Sequence, residues 1–532
     1  MRLIYVNLLF MATNNDKLPD NPEELKAIIH DKDEHITILE EQVRVLKKAI
    51  FGRKSEKRPV EDAHGCQLHL FNEAEALVEE ETQKNLVIPE HTRQKPKRKP
   101  LPKDLPRVEI IEDIAESEKV CACGASLSKI GEEVCEKLDI IPAKIQVIRI
   151  VRPKYACKSC EGVESEGPTV KIAPTPPQII PKGIATPGLV AHIAVSKYVD
   201  GLPLYRQENI FSRYGIELSR STMAGWMVKA AQCCDPLINL LYKELHSGPL
   251  INVDETPLQV LNEPERANTT KSYMWVFRGG LPEKPVILFK YSETRSGEVP
   301  REVLAGYSGY CQTDGFSGYD ALEVSNPSIR MVGCFFHARR NFVKIIDARG
   351  KAAKSKPGSP EVALGYIGQL YKIEKIAREN ALSPDEIVSL RREQAVPILS
   401  EFKSWMDKRV SQAPPKALLG QALNYAITRW DKLIRYIENG HITPDNNAAE
   451  NALRPFVIGR KNFLFAGHPN GAHAAATLYS LIETAKACGF DPYQYLRYLF
   501  ARLPFAQTEQ DYRALLPQNL TPEVLSRFMA GL

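Results

Sequence analysis

A chain of 532 residues is longer than one hydrophobic core ordinarily organises, so several domains are expected, at least one of them with a large core. Hydrophobic residues at 43% and charged residues at 25% are globular proportions, and no run approaches the roughly 20 apolar residues that a membrane span requires. The net charge of +5 is mild and local: Arg93, Lys95, Lys97, Arg98, Lys99 and Lys103 fall together without an acid among them, which suits a polyanionic partner.

Met1 to Phe10 is apolar with a single Arg, but no small-residue cleavage motif follows. Met11-Ala12-Thr13-Asn14 reads as an ordinary polar start, so Met11 is the expected initiator and 1–20 an unstructured terminus. Apolar residues then recur at heptad spacing, Ile29, Ile36, Val43 and Ile50 in one register and Leu25, Leu39 and Leu46 in the other. That pattern predicts a leucine-zipper-like coiled coil over 21–57 and hence a homo-oligomer; an amphipathic helix lying on its own domain is the alternative. The stretch 58–106, acidic, then basic and Pro-rich, has linker composition, and its basic end is a candidate for DNA phosphates.

Cys121, Cys123, Cys157 and Cys160 form two close pairs flanking strand-like sequence. Four thiolates make a closed tetrahedral Zn²⁺ site, so 107–170 is expected to be a small zinc-binding β domain held by its metal. Cys135 is the substitute ligand, because the first pair has only one residue between its thiols. Eleven cysteines, odd in number and sparse, otherwise favour a reducing compartment, and the protein is expected in the cytoplasm, on the nucleoid if its partner is DNA.

Helical patterns follow over 171–245: Leu189 to Tyr198, Tyr205 to Tyr214 and Ser221 to Ala231, the last two separated by Gly215-Ile216-Glu217-Leu218-Ser219. This is the outline of a helix-turn-helix, with Arg220 and Lys229 as candidate phosphate contacts; a plain helical core is the competing reading. From 246 to 350 the pattern changes to short strands, Ile251 to Val253, Tyr273 to Arg278, Val286 to Tyr291, Tyr310 to Thr313 and Arg330 to Phe335, with helices near Glu298 to Leu304 and from His337 onward. That order predicts a ribonuclease H-like α/β core, interrupted by a helical insertion over 351–440, resumed over 441–505 and followed by a helical tail, 506–532.

Three acids stand out in this region. Asp254 and Asp314 each end an apolar run short enough to be a buried strand, and Glu450 opens a helical pattern that continues through Leu453 and Val457. Packed together, three carboxylates repel one another and lose hydration, which is unfavourable unless a divalent cation neutralises them, and oxygen donors suit Mg²⁺ or Mn²⁺. Glu255 is expected on the opposite side of the strand from Asp254, and Asp445 is a candidate cap for the helix of Glu450. Arg454, Arg460 and Lys461 on that helix are candidate DNA contacts, an ordinary basic face being the alternative. Cys334 and His337 make a Cys-x-x-His pair without a nearby second pair, which favours support of the active site over zinc binding.

The stretches Val253-Asp254-Glu255-Thr256-Pro257, Asp314-Gly315-Phe316-Ser317-Gly318-Tyr319, His337-Ala338-Arg339-Arg340 and Asp445-Asn446-Asn447-Ala448-Ala449-Glu450-Asn451-Ala452-Leu453-Arg454-Pro455 resemble transposases of the insertion sequence 66 family. So do Leu202-Pro203-Leu204-Tyr205-Arg206-Gln207, the cysteine pairs, the zipper and Phe51-Gly52-Arg53-Lys54-Ser55-Glu56-Lys57, so the resemblance spans nearly the whole chain. It implies a zipper, a zinc-binding domain and a DDE catalytic domain whose acids map onto Asp254, Asp314 and Glu450. The implied activity is strand cleavage and transfer at inverted-repeat DNA ends, with accessory proteins from the same element. Arg339 and Arg340 of the shared stretch are then expected at DNA. A nuclease that cuts without joining and a catalytically silent DNA-binding regulator are the rival readings. The spacing of Cys121 and Cys123 is the departure from the family pattern.

Overall fold

The computed structural model describes residues 145–156, 170–349 and 358–531, together with scattered positions between 21 and 43. The expected coiled coil, the linker and Cys121, Cys123, Cys135, Cys157 and Cys160 therefore lie outside the described residues. The chain divides into two units, 85–176 and the remainder. Of the smaller unit the structure describes a two-stranded antiparallel ribbon, β1 (Lys154–Ala156) with β2 (Val170–Ile172), where Lys154 faces Ile172.

Among the described residues of the larger unit from 177 onward, four helices come first. Pro187 supplies the preset φ of a first helical residue and Thr186 accepts from Leu189 N, which starts α1 (Pro187–Tyr198). After α2 (Leu204–Arg213), Gly215 takes φ +73°, a left-handed turn that side chains disfavour, and Ser219 caps α3 (Arg220–Cys233) by accepting from Thr222 N. α4 (Asp235–Leu245) leads into the sheet. These helices bury Val190, Ile193, Trp226 and Leu241 in the same core as the sheet and the C-terminal helices.

The sheet runs in the order β5-β4-β3-β6-β7. β3 (Leu250–Val260), β4 (Lys271–Leu281) and β5 (Lys284–Ser292) form an antiparallel meander, while β6 (Gly309–Gln312) and β7 (Ile329–Val332) lie parallel to β3. Parallel pairing requires crossovers, supplied by α5 (Glu298–Val303) and by α6 (Asp320–Ser325), a short helix that the sequence pattern did not announce. Strands form at all five expected places, but β7 stops at Val332, three residues short of the expected Phe335, which begins the next helix, and β3 extends well beyond its expected end. Its hairpin partner β4 continues the ladder to Gln259 opposite Lys271, so Asp254 sits inside the strand.

α7 (Phe335–Arg349) leads to the expected helical segment, which comprises α8 (Ser359–Glu379), α9 (Pro384–Leu390), α10 (Val396–Val410), α11 (Leu418–Thr428) and α12 (Trp430–Ile434). It has its own core, in which Phe402, Met406, Leu423 and Tyr436 pack against Val332, Phe335 and Phe342. Buried Arg391 ties this layer to the chain that follows, pairing with Glu374 and donating to the carbonyls of Tyr436, Asn439 and Ile442. α13 (Asn447–Phe463) and β8 (Phe465–Ala466) return to the sheet, β8 pairing with the far end of β3.

α14 (Pro469–Ala487) closes the sheet edge. The N–H groups of Ile287 and Phe289 on β5 donate to Thr484 Oγ1 (3.0 Å) and Ser480 Oγ (2.8 Å), which covers an edge otherwise open to strand addition. α15 (Pro492–Arg502), α16 (Glu509–Ala514) and α17 (Pro522–Ala530) complete the unit. Among the described residues no helix is long and apolar enough to cross a membrane.

Candidate active site

The site forms where β3 and β6 part. Their pairing stops at Asn252 opposite Gln312, two residues before Asp254 on one strand and Asp314 on the other. Strand periodicity puts Asn252 and Asp254 on one face. Asn252 Nδ2 donates to Gln312 Oε1 (2.9 Å) and to Asn446 Oδ1 (3.1 Å), and Asn446 Nδ2 returns to Val253 O at 2.9 Å. Gln312 Nε2 also donates to Thr443 O (2.7 Å). This amide network binds the start of α13 to both strands. Glu450 lies in the first turn of α13, four residues after Asn446 and on the same helical face.

The electrostatics follow from that placement. Burial raises the Asp254 carboxyl well above its usual range, and the charges of Glu255, Glu450 and Asp314 raise it further. Glu450 is pushed up to about 7, by burial first, then by Asp445 and Asp314, with Arg340 opposing. Asp254 and Asp314 each stay anchored by a backbone amide, Glu255 N at 2.8 Å and Phe316 N at 2.9 Å. Asp254, Asp314 and Glu450 feel one another's charge and carry only oxygen donors, the kind that suits a hard divalent cation such as Mg²⁺ or Mn²⁺.

Glu255 is not set apart from this group as expected. Its buried carboxylate accepts from Arg295 Nε at 2.6 Å and from the Tyr319 hydroxyl, and Arg295 Nη2 lies 4.0 Å from Asp314 Oδ2. The Arg295 guanidinium also stacks on Phe316, 3.7 Å from the ring centroid. Asp445 does not cap α13 either: its carboxylate accepts from the Tyr371 hydroxyl and from Phe336 N, and burial raises it to about 6. His337, beneath the acids, is held below its usual value by burial.

The candidate DNA contacts separate by exposure. Arg220, Lys229 and Lys461 are exposed, Arg454 and Arg340 half-buried. Arg339 is 3% exposed and its charge acts on Asp445, so it serves the interior and not the surface; the i, i+1 step on α7 turns neighbouring side chains about a quarter-turn apart. Arg460 straps α13 to β3 through Thr256 Oγ1 (3.0 Å) and Pro257 O. The helical layer reaches the site as well: Arg429 Nη2 donates to Gly315 O (2.8 Å), Lys432 pairs with Asp320, and a small pocket runs between Asp314, Cys334, Tyr425 and Arg429. A Cβ on Gly315 would stand 2.5 Å from Tyr425 Oη, so a larger residue here would displace the Tyr425 and Arg429 side chains.

A family model described as Transposase IS66 family matches residues 182–474, more than half of the chain. The chain belongs to the IS66 transposase family. Three further models of the same family match: one described as Transposase C of IS166 homeodomain at 38–110, a zinc-finger binding domain of transposase IS66 at 118–161 and an IS66 C-terminal element at 480–518. Among curated relatives, two proteins of Sinorhizobium fredii (strain NBRC 101917 / NGR234) are similar over nearly their whole length. Uncharacterized protein y4qI is 33% identical over 519 residues, 94% of this chain and 92% of the relative. Uncharacterized protein y4jD is 32% identical over 532 residues, 96% and 98% respectively. Of the residues that organise this candidate site, sequence reading singled out the acids but not Asn252, Gln312, Asn446 or Arg295. The available signal was spacing, since each amide lies two or four residues before its acid.

Proposed function

We propose that this chain is a DNA transposase that binds the inverted-repeat ends of an insertion sequence and performs strand cleavage and strand transfer with Asp254, Asp314 and Glu450. The observation that carries the reading is the amide network from Asn252 through Gln312 and Asn446, which brings two strands and one helix, with their acids, into a common field. The strand order, an antiparallel meander followed by two parallel strands, supports a ribonuclease H-like core.

Asp254, Asp314 and Glu450 would hold Mg²⁺ or Mn²⁺, which supplies activation of an attacking water or 3′-hydroxyl and charge neutralisation at the leaving oxygen. The chain itself positions and neutralises. Arg295 pairs with Glu255, the carboxylate whose charge weighs most on Asp254, and so offsets part of the repulsion there. Arg340 draws Glu450 toward its charged form. Arg220, Lys229, Lys461 and Arg454 are available for phosphates. Four of the five cysteines within the zinc-finger match, Cys121, Cys123, Cys157 and Cys160, would hold Zn²⁺ as a structural ion. An N-terminal zipper would join two chains so that both element ends are processed together, with element-encoded accessory proteins as further partners, at the nucleoid.

Labelled element ends incubated with the protein, Mg²⁺ and a target plasmid test this. Cleavage with joined product is expected; cleavage alone indicates a nuclease, and binding alone a regulator. Asp254→Ala should abolish cutting while end binding persists, and preserved cutting would remove Asp254 from the catalytic set.

A further inference from the structure

A second set of donors meets beside the acids. Cys334, just before α7, His337, in the first turn of α7, and Glu450, in the first turn of α13, present a sulfur, a ring nitrogen and a carboxylate oxygen within 4.8 Å of one another. Cys334 Sγ accepts the backbone N–H of Asn446 at 3.2 Å and that of His337. Burial and the charges of Asp445 and Glu450 raise this thiol well above its usual range, the two amides only partly oppose them, and a bound metal would have to displace the proton. The Nδ1 of His337 is buried and has no hydrogen-bond partner, although buried polar atoms are as a rule paired. A role for Cys334 as a helix cap accounts for the amides at its sulfur. It does not account for the orphaned imidazole nitrogen, nor for the convergence of both side chains on Glu450.

The geometry points to a transition-metal site made of Cys334, His337 and Glu450, selective for Zn²⁺ over Mg²⁺ and sharing Glu450 with the three-acid group. One thiolate, one imidazole and one carboxylate are a borderline-soft set that hard Mg²⁺ does not choose, and three protein ligands leave an open position. A thiol proton is released on binding, so occupancy rises with pH. Because the same carboxylate cannot serve both sets freely, Zn²⁺ here withdraws Glu450 from Mg²⁺. That consequence for cleavage rests on the transposase reading, whereas metal binding itself does not.

The test is a Co²⁺ titration of the chelator-treated full chain, with Co²⁺ standing in for Zn²⁺ and giving a thiolate-to-metal absorption band. The wild-type chain is expected to bind one more Co²⁺ than Cys334→Ser, with a correspondingly larger band. Serine retains a capping oxygen, so the variant should fold, which circular dichroism checks. His337→Ala and Glu450→Gln should each weaken this Co²⁺ at least about tenfold. Equal stoichiometry and equal bands in wild type and Cys334→Ser would overturn the site, and unchanged affinity in Glu450→Gln would overturn the sharing. In cleavage assays at fixed Mg²⁺, added Zn²⁺ should inhibit wild type more strongly than Cys334→Ser; equal inhibition counts against the competition. A chain that binds Co²⁺ as expected yet cuts no element ends leaves the metal site standing and refutes the transposase reading instead.

Discussion

Replacing Asn446 by alanine tests whether the amide network holds the site together. Asn446 is 1% exposed, and its side chain makes two buried hydrogen bonds, one donated to Val253 O at 2.9 Å and one accepted from Asn252 Nδ2 at 3.1 Å. Each is worth about 1 kcal/mol net, and groups left without partners away from water add a further penalty, so the total loss is about 2–4 kcal/mol. Asn252 retains Gln312, which keeps the figure from rising further. Urea unfolding followed by tryptophan fluorescence reads this through Trp275, buried on β4 next to β3. Since the chain has more than one unit, only the transition that includes Trp275 is compared. Asn252→Ala and the double variant complete a cycle, and because the two residues share a bond their losses should fall short of additivity by at least about 0.5 kcal/mol. Cleavage should drop by about tenfold or more at temperatures where the variant remains folded, because misplacing a reacting group by about 1 Å costs up to about 100-fold. An unchanged midpoint with unchanged cleavage, or strict additivity in the cycle, would refute the reasoning.

The pH dependence of metal binding should follow Glu450. Its folded value of about 7 lies above the usual 4.5, so its protonated form stabilises the metal-free fold; that contribution is complete below the usual value and is lost as pH rises through about 7. Mg²⁺ competes with the same proton, so Mg²⁺ affinity measured by calorimetry should strengthen about tenfold from pH 6 to pH 8, and a flat profile would remove Glu450 from the ligand set. Arg295→Ala leaves the Glu255 carboxylate buried without its cation. The expected loss is about 2–4 kcal/mol in urea, at the lower side of a broken buried pair because Arg295 is itself partly exposed; Glu255→Gln in the same background should restore part of it.

Much of the larger unit was legible from 177 onward because its signals are local. The apolar run Val286 to Tyr291 announced a strand that the structure contains, the run from Arg330 overran one that ends at Val332, and Ser219 and Gly215 marked a helix start and a turn through their own side-chain and backbone chemistry. Asp254, Asp314 and Glu450 attracted notice because unpaired acids beside buried elements require an explanation. Where Asp254 sits along β3 was not legible, since the ladder with β4, and not the apolar run, decides how far the strand extends.

The sequence by itself determined where most helices and strands lie and which residues carry oxygen, sulfur and positive charge. Only the tertiary structure decided which of them meet. Asn252 finds Gln312 across 60 residues and Asn446 across 194, and no local periodicity encodes a partner at such separations. The same holds for Arg339 and Arg340, adjacent in the chain yet divided into interior and site by the rotation of α7. Burial and the field of neighbouring charges are properties of packing, and packing is what brings Asp254 under the charges of Glu255, Glu450 and Asp314.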